Sequence, residues 1–391
     1  MVQLINPDGR GSLAGSSKLL RAMNSTAALD LLLERGRLTR GDLRAATGLS
    51  KPTVSDALRR LVDAELAHVV DHIRGGPGPN AEVYAINPDI AFAVAVSIGP
   101  EPAVGATVPA GISAALCDMA GTVRARTHTA ADLQLHDPAD VLVDAVTALV
   151  RGAGVALGHV GHVQLGVAGA YDRATQTVHH IDLPGFDQPG LVATIGARLG
   201  TDIDVDNDVN LAALAERRHG GAREADGFAL LWLGDGLGLA IDIGGTLLRG
   251  ARGGAGEIGY LRLGATDLQA MIGGPAVVEL ATEHGHTGAT LAETIAAGQR
   301  DPTFIAALAN RVAMAVDVVV AVLDPSLIVL GGPVAAAGGA PLADALTAVM
   351  SASALPDTPI SISAVEGDPV VRGALDAAVA AVHAQLRARI A

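Results

Sequence analysis

The chain has a single cysteine, Cys117, in 391 residues. That excludes an internal disulfide framework and any zinc site built on paired cysteines, and it fits a reducing, cytoplasmic setting. Aromatic residues make up only 2% of the chain, whereas half of it is apolar and 48 residues are glycine. A core therefore has to be assembled from Ala, Val, Leu and Ile. The opening MVQLINPDGRGSLAGSSKLL lacks a basic segment followed by an apolar one, so no secretory signal is expected. Uninterrupted apolar runs are scarce too. The most apolar long stretch, residues 91–117, contains three prolines, several glycines and Glu101, which argues against a membrane helix. What remains is the composition of a soluble, globular chain with no membrane partner.

At 391 residues, two or three domains are expected. The net charge of −14 speaks, taken whole, against nucleic acid, but the charge is unevenly spread. Residues 1–88 hold 11 Lys+Arg and 9 Asp+Glu, a balance of +2, which leaves 16 and 32, or −16, for residues 89–391. An arginine-bearing head on an acidic body suggests separate partners for the two segments.

The head reads as a winged helix-turn-helix. STAALDLLLERG gives a helix with a cap expected at Ser25 or Thr26 and a stop at Gly36. LTRGDLRAATG follows, with Thr39 as N-cap, Asp42 three residues on as a capping box, and Gly48 at its end. In KPTVSDALRRLVDAEL, Ser50 can cap, Pro52 is tolerated in the first turn, and Val54, Leu58 and Leu61 bury one face. Lys51, Ser55 and Arg59 line another face with Thr53, Asp56 and Arg60 nearby, short hydroxyls and long cations suited to base edges and phosphates. Such a helix can enter a major groove. Two β-like runs, Ala67–Ile73 and Ala81–Ile86, joined by a Gly/Pro-rich turn at residues 75–80, complete a wing. Arg40, Ser50 and Arg74 join Lys51, Thr53, Ser55, Asp56, Arg59 and Arg60 as the expected DNA-contacting set. The competing reading is a small structural or dimerising bundle.

Beyond residue 89, short β-like runs alternate with helical stretches, and the C-terminal third is mostly helical, with a long apolar helix near Pro302–Leu323. No tandem repeat of solenoid period is present. This order suggests a mixed-sheet α/β domain with sites at strand ends.

The winged head followed in order by LGVAGAYDRATQTV, DVDNDVNLAALAE, LGDGLGLAIDIGGTLLRGARGGAGEIGY and LDPSLIVLGGPV resembles the ROK family of repressors, open reading frames and kinases. It is similar in particular to the family's xylose and N-acetylglucosamine repressors. The resemblance spans residues 15 to 385 and implies an α/β fold: an N-terminal winged helix-turn-helix followed by an actin-like (RNase H-like) two-lobed ROK domain. The domains would be residues 1–88 and 89–391, and the oligomer a homodimer or homotetramer.

The same resemblance implies site residues. Asp208 stands where the family's sugar kinases have their base toward a sugar hydroxyl, Asn207 beside it would bind a hydroxyl, and Glu257 stands where a sugar-contacting glutamate is expected. The competing reading is that Asp206, Asn207 and Asp208 only cap the following helix. Asp182 takes the place of a family asparagine before LPG, and Tyr260 that of a family histidine; Asp182 is equally well a plain turn residue. The family's zinc cysteines are missing from LRLGATDLQAMIGGPAVVELA, so that zinc site cannot form, and Glu279 is only a distant match for the glutamate that follows them. His284 and His286 are read as a solvated loop, and neither a metal nor a cofactor is expected.

IDIGGTLLRG, at residues 241–250, has the look of a kinase phosphate turn, but its place behind LGDGLGLA makes Gly244–Gly245 the tip of a β-hairpin. The first phosphate loop should lie near residues 97–111, and no aspartate occurs between Ile90 and Asp118. The expectation is a DNA-binding regulator, a repressor of carbohydrate-linked genes that binds a double-stranded operator and responds to a sugar-like effector, and not an enzyme. Two alternatives stay open: an active ATP-dependent sugar kinase with a regulatory head, and a ligand-independent regulator with a decayed pocket.

Overall fold

The computed structural model describes residues 10–73, 81–100, 110–179 and 183–390. The head comprises α1 (Arg10–Arg35), β1 (Leu38–Thr39), α2 (Arg40–Thr47), α3 (Lys51–Asp63), β2 (Ala67–Ile73) and β3 (Ala81–Ile86). Its three strands pair in the order β1-β3-β2. The capping box forms as expected, with Thr39 N–H donating to Asp42 Oδ2 at 2.8 Å and Asp42 N–H to Thr39 Oγ1 at 3.2 Å. One expectation is corrected. Ser25 does not start the first helix but lies in its middle, 1% exposed, with its hydroxyl donating to the Arg21 carbonyl at 3.0 Å. A serine that bonds back to residue i−4 is satisfied inside a helix, so a capping-type residue need not mark a start.

The body contains two five-stranded sheets. The first is built from β4 (Phe92–Pro100), β5 (Ala110–Asp118), β6 (Val123–Ala131), β7 (Val160–Val167) and, after the small hairpin β8 (Ala170–Asp172) and β9 (Thr177–His179), β10 (Asp202–Asn207). Two helices, α4 (Pro138–Gly152) and α5 (Leu191–Leu199), cover its outer face with a core that includes Val146, Leu149, Phe186 and Ile195. After α6 (Asp208–His219), the second sheet takes β11 (Gly227–Leu233), β12 (Leu237–Ile243) and β13 (Thr246–Leu247). A short hairpin, β14 (Arg262–Leu263) with β15 (Thr266–Asp267), leads into α7 (Leu268–Ile272), α8 (Gly274–Glu283), α9 (Leu291–Gly298) and α10 (Pro302–Leu323). Then come β16 (Ile328–Gly331), α11 (Gly332–Met350), β17 (Ile360–Ile362) and α12 (Pro369–Ile390).

The strand orders are β10-β7-β4-β5-β6 and β13-β12-β11-β16-β17. In both sheets an antiparallel three-strand meander is extended by two parallel strands, so the lobes share one topology although the sequence shows no repeat. Between the sheets lie α6 and α12. Ala95, Ala115 and Cys117 of the first sheet and Phe228, Leu230, Ala240 and Val329 of the second close on Leu211, Ala212, Val371 and Ala374 of these helices. Apart from Phe228 the buried side chains of this layer are aliphatic or the Cys117 thiol, many of them alanine, which lets the two helices pack closely between the two sheets. α12 continues past this layer, and its Ala378, Val382 and Leu386 enter the core of the head beside Leu29, Leu58 and Leu61. By length and composition α10 and α11 could each cross a membrane, but Phe304, Leu308, Val312, Leu342 and Leu346 bury them in the core of the second lobe.

The kinase-like stretch is indeed a hairpin tip. Ile243 pairs with Thr246 across a two-residue turn in which Gly244 and Gly245 have φ of 59° and 83°, the left-handed pair that favours glycine. Its aspartate is not free for phosphate chemistry. Asp242, 4% exposed, is ion-paired with Arg217, whose Nε lies 3.3 Å from Asp242 Oδ2. The guanidinium also donates to the carbonyls of Ala222 and Ala225 and lies over the Phe228 ring. Removing one partner leaves an uncompensated buried charge, so Asp242→Ala should lower the unfolding free energy by about 3–5 kcal/mol. Urea denaturation checks this, and a loss below about 1 kcal/mol would contradict the buried pairing.

Candidate functional site

Two surfaces hold the residues singled out by the sequence. In the head, Ser50 caps α3 and its hydroxyl lies 2.8 Å from that of Thr53, while Pro52 sits in the first turn. Burial of Val54, Ala57, Leu58 and Leu61 turns the opposite face outward, where Lys51 and Arg59 are exposed with Ser55 between them. Arg59 is held by Asp56 and, at 3.6 Å, by Asp63. These exposed pairs are weak in water and can be exchanged for phosphate oxygens.

Two arginines of the expected set point elsewhere. Arg40 pairs with Glu82 at 2.8 Å and lies over the Tyr84 ring, which ties α2 to the wing strand β3. Burial, reinforced by its hydrogen bond to Glu82, pushes the Tyr84 hydroxyl up to about 12. Arg60 leaves the exposed face and lines a cleft toward α1 and α12. Arg74 and the wing tip at residues 75–80 lie outside the described residues.

In the body, the end of β10 runs directly into α6. Asn207 is the N-cap: its Oδ1 accepts from Val209 N–H at 2.9 Å and Asn210 N–H at 3.2 Å, and its Nδ2 donates to the Gly169 carbonyl at 3.2 Å. Capping thus belongs to Asn207, which leaves Asp208 free of that duty. Asp208 opens the helix, with Oδ1 accepting from Val209 N–H at 2.8 Å. Glu257 ends the 254–257 loop and lies close enough to act electrostatically on Asp208. Tyr260, three residues on at the end of the short 3₁₀ segment that Glu257 precedes, is 55% exposed. Asp182 lies outside the described residues, as does most of the first phosphate loop, residues 101–109.

Burial pushes the Asp208 carboxyl up from 3.8 to about 7; the Val209 N–H opposes the rise, and the Glu257 and Asp368 carboxylates add to it. Asp368, which caps α12 by accepting from Val370 and Val371 N–H at 3.0 Å each, was not singled out from sequence, although its Asp-Pro pattern is a capping signal. Arg249 was missed for a different reason. Its Nη2 and Nε donate to Asp206 Oδ2 at 2.6 and 2.9 Å, joining the 248–257 loop of the second lobe to the DND turn of the first, across 43 residues of sequence. Asp206 also accepts from Asn210 Nδ2 at 3.1 Å. No local pattern encodes such a pair.

The second glycine-rich turn, LGDGLG, is engaged by protein: Leu237 N–H donates to Gln269 Oε1 at 2.8 Å, and Gln269 Nε2 donates to the Asp235 carbonyl at 3.1 Å. His284 and His286 both lie against the Phe304 ring, and His286 Nε2 is 3.0 Å from Asp301 Oδ2. Among the described residues no group of three or more His, Cys, Asp or Glu side chains could hold a metal ion.

Residues 104–380 match the ROK family and residues 23–76 the MarR family. The bifunctional enzyme NanE/NanK of Brucella suis is 36% identical over 152 residues, which is 37% of this chain and 29% of that enzyme. The xylose repressor of Bacillus spizizenii is 22% identical over 255 residues, 62% of this chain and 61% of the repressor. The chain thus spans less than two thirds of the length of these relatives. Among solved structures, a ROK family transcriptional regulator described as a homolog of the E. coli MLC protein superposes with a TM-score of 0.72 at 18% identity, covering 95% of this chain and 98% of its own. That likeness establishes the fold, a winged helix-turn-helix followed by an actin-like ROK domain.

A carboxyl whose folded pKa lies above its unfolded value holds its proton more tightly in the native state. Native stability therefore falls as pH rises from about 4 to about 7 and levels off above. Asp208→Asn, which cannot ionise, should gain stability relative to wild type across that window. Urea denaturation at about pH 5 and about pH 8 checks it; a gap between variant and wild type that is equal at both pH values, or larger at the lower, would contradict the raised pKa.

Proposed function

The chain belongs to the ROK family, and from that premise we propose that it is a DNA-binding transcriptional regulator, a repressor of carbohydrate-linked genes whose operator binding is modulated by a sugar-like effector. The observation that carries this reading is α3: one face locked into the head, the other presenting Lys51, Ser55 and Arg59 outward. Thr53, Ser50 and Asp56 frame that face. We place the boundary between the DNA-binding head, residues 1–88, and the ROK domain, residues 89–391, at the short turn Pro88–Ile90. The effector would bind near Asn207, Asp208, Glu257 and Tyr260.

Two-fold operators are met by two-fold proteins, which favours a homodimer or homotetramer in the cytoplasm. An effector that binds one arrangement of the lobes better shifts the spacing of the heads by no more than its differential affinity. A route for that shift exists, since α6 carries Asp208 and packs on α12, and α12 ends inside the core of the head. The acidic body is repelled by DNA phosphates, which confines contact to the head.

Against phosphoryl transfer stand the engagement of the LGDGLG backbone by Gln269, the occupation of Asp242 by Arg217, and the missing aspartate of the first phosphate loop in sequence. For it stands the Asp208 carboxyl, whose pKa of about 7 suits a general base. Incubation with ATP and a panel of hexoses should release no ADP; steady turnover would replace the regulator reading by that of a kinase with a regulatory head. Arg59→Ala should weaken operator binding by roughly 10- to 100-fold. Asp208→Ala should keep operator affinity and lose the response to effector. Full operator affinity in Arg59→Ala, or an intact response in Asp208→Ala, would count against the respective assignment.

A further inference from the structure

Cations are few in this chain, 27 against 41 carboxylates, and Arg40, Arg59, Arg124, Arg217, Arg249 and Arg387 are each committed to a carboxylate partner. Lys18, Arg60 and Arg389 differ: among the described residues none of them forms an ion pair, and all three line one cleft of about 460 Å³. The cleft lies where α1, the last turn of α3 and the last turn of α12 meet. Among the described residues its one lining carboxylate, Asp63, lies 3.6 Å from Arg59. Ala22 and Ile390 supply apolar wall. Like charges brought together from three separate elements repel one another and invite a counter-ion, and the volume is that of a small-molecule site.

We propose that this cleft binds a small multivalent anion, a phosphate ester or a polycarboxylate, apart from the sugar pocket and from the outward face of α3. Three donors from three helices suit an anion with oxygens in several directions, and charge-assisted hydrogen bonds supply the affinity. Binding would staple the tip of α12 to α1 and α3, beside the existing tie between Arg387 Nε and Asp30 Oδ1 at 2.6 Å. Because α12 also packs on α6, the anion fixes the seat of the head on the same helix that the sugar pocket contacts. The two ligands are therefore coupled, and the coupling is reciprocal.

The test uses the full chain with inorganic pyrophosphate and, separately, citrate, each at constant ionic strength, followed by thermal unfolding and calorimetric titration. Saturable stabilisation is expected from at least one probe, and which of them binds tells phosphate from carboxylate chemistry. Lys18→Gln and Arg389→Gln, both at exposed positions, should each weaken that binding by about tenfold, whereas Arg151→Gln, an exposed cation elsewhere, should not. The absence of saturable binding, or equal weakening by all three substitutions, overturns the proposal. So does a different pattern: no binding of either probe, together with a salt dependence of operator binding reduced by about one phosphate contact in Lys18→Gln and Arg389→Gln. That pattern would make the cleft part of the DNA surface.

Discussion

The contact on which the rest of this molecule depends is that of α12 with α6 in the layer between the two sheets. Gly373 is where the two helices come closest, since a Cβ there would run into the Leu211 carbonyl. Close approach lets both sheets reach the helices with small side chains, Ala95 and Ala115 from one and Ala240 from the other. A core this thin has little room to repack, and it makes one body of two lobes that each have a separate outer core. The same helix then supplies apolar side chains to the head, so a single element touches α6, which carries Asp208, the sheet of the first lobe and the core of the head.

Charge is used sparingly and mostly for joints. Asp242 and Arg217 fasten the hairpin of the second lobe to α6, and Arg249 and Asp206 hold the loop that carries Glu257 against the turn that carries Asp208. Arg124 ties Asp118 of the first sheet to Asp89 of the turn below the head, at 2.6 and 2.8 Å. Each joint links segments that are far apart in the chain or belong to different elements. A carboxylate left out of these pairs stands out. Asp208 is such a group, half-buried and close to a second carboxylate, and its raised pKa follows from that setting.

Much of this was legible in the sequence. The capping box at Thr39 and Asp42, the proline-started α3 and the apolar spacing of Val54, Leu58 and Leu61 are local signals, settled within a turn or two of helix. The Gly244–Gly245 tip is local as well, and so is the long α10. Ser25 misled because a capping residue also tolerates the inside of a helix when its hydroxyl bonds backward. The family order of motifs located Asn207, Asp208 and Glu257, but nothing in it distinguishes a cap from a free carboxylate.

Tertiary structure alone decided the rest. It assigned capping to Asn207, set Asp208 near Glu257, turned Arg40 to the wing and Arg60 to a cleft, and joined Arg249 to Asp206. It also revealed two lobes of one topology and placed the C-terminal helix within the N-terminal head. The sequence determined what short-range sterics and backbone hydrogen bonding dictate: helix starts, turns and the apolar faces. Which charges meet, and which stay unpaired, depends on segments far apart in the chain being brought within a few ångströms, and that distance is set only when the whole core closes.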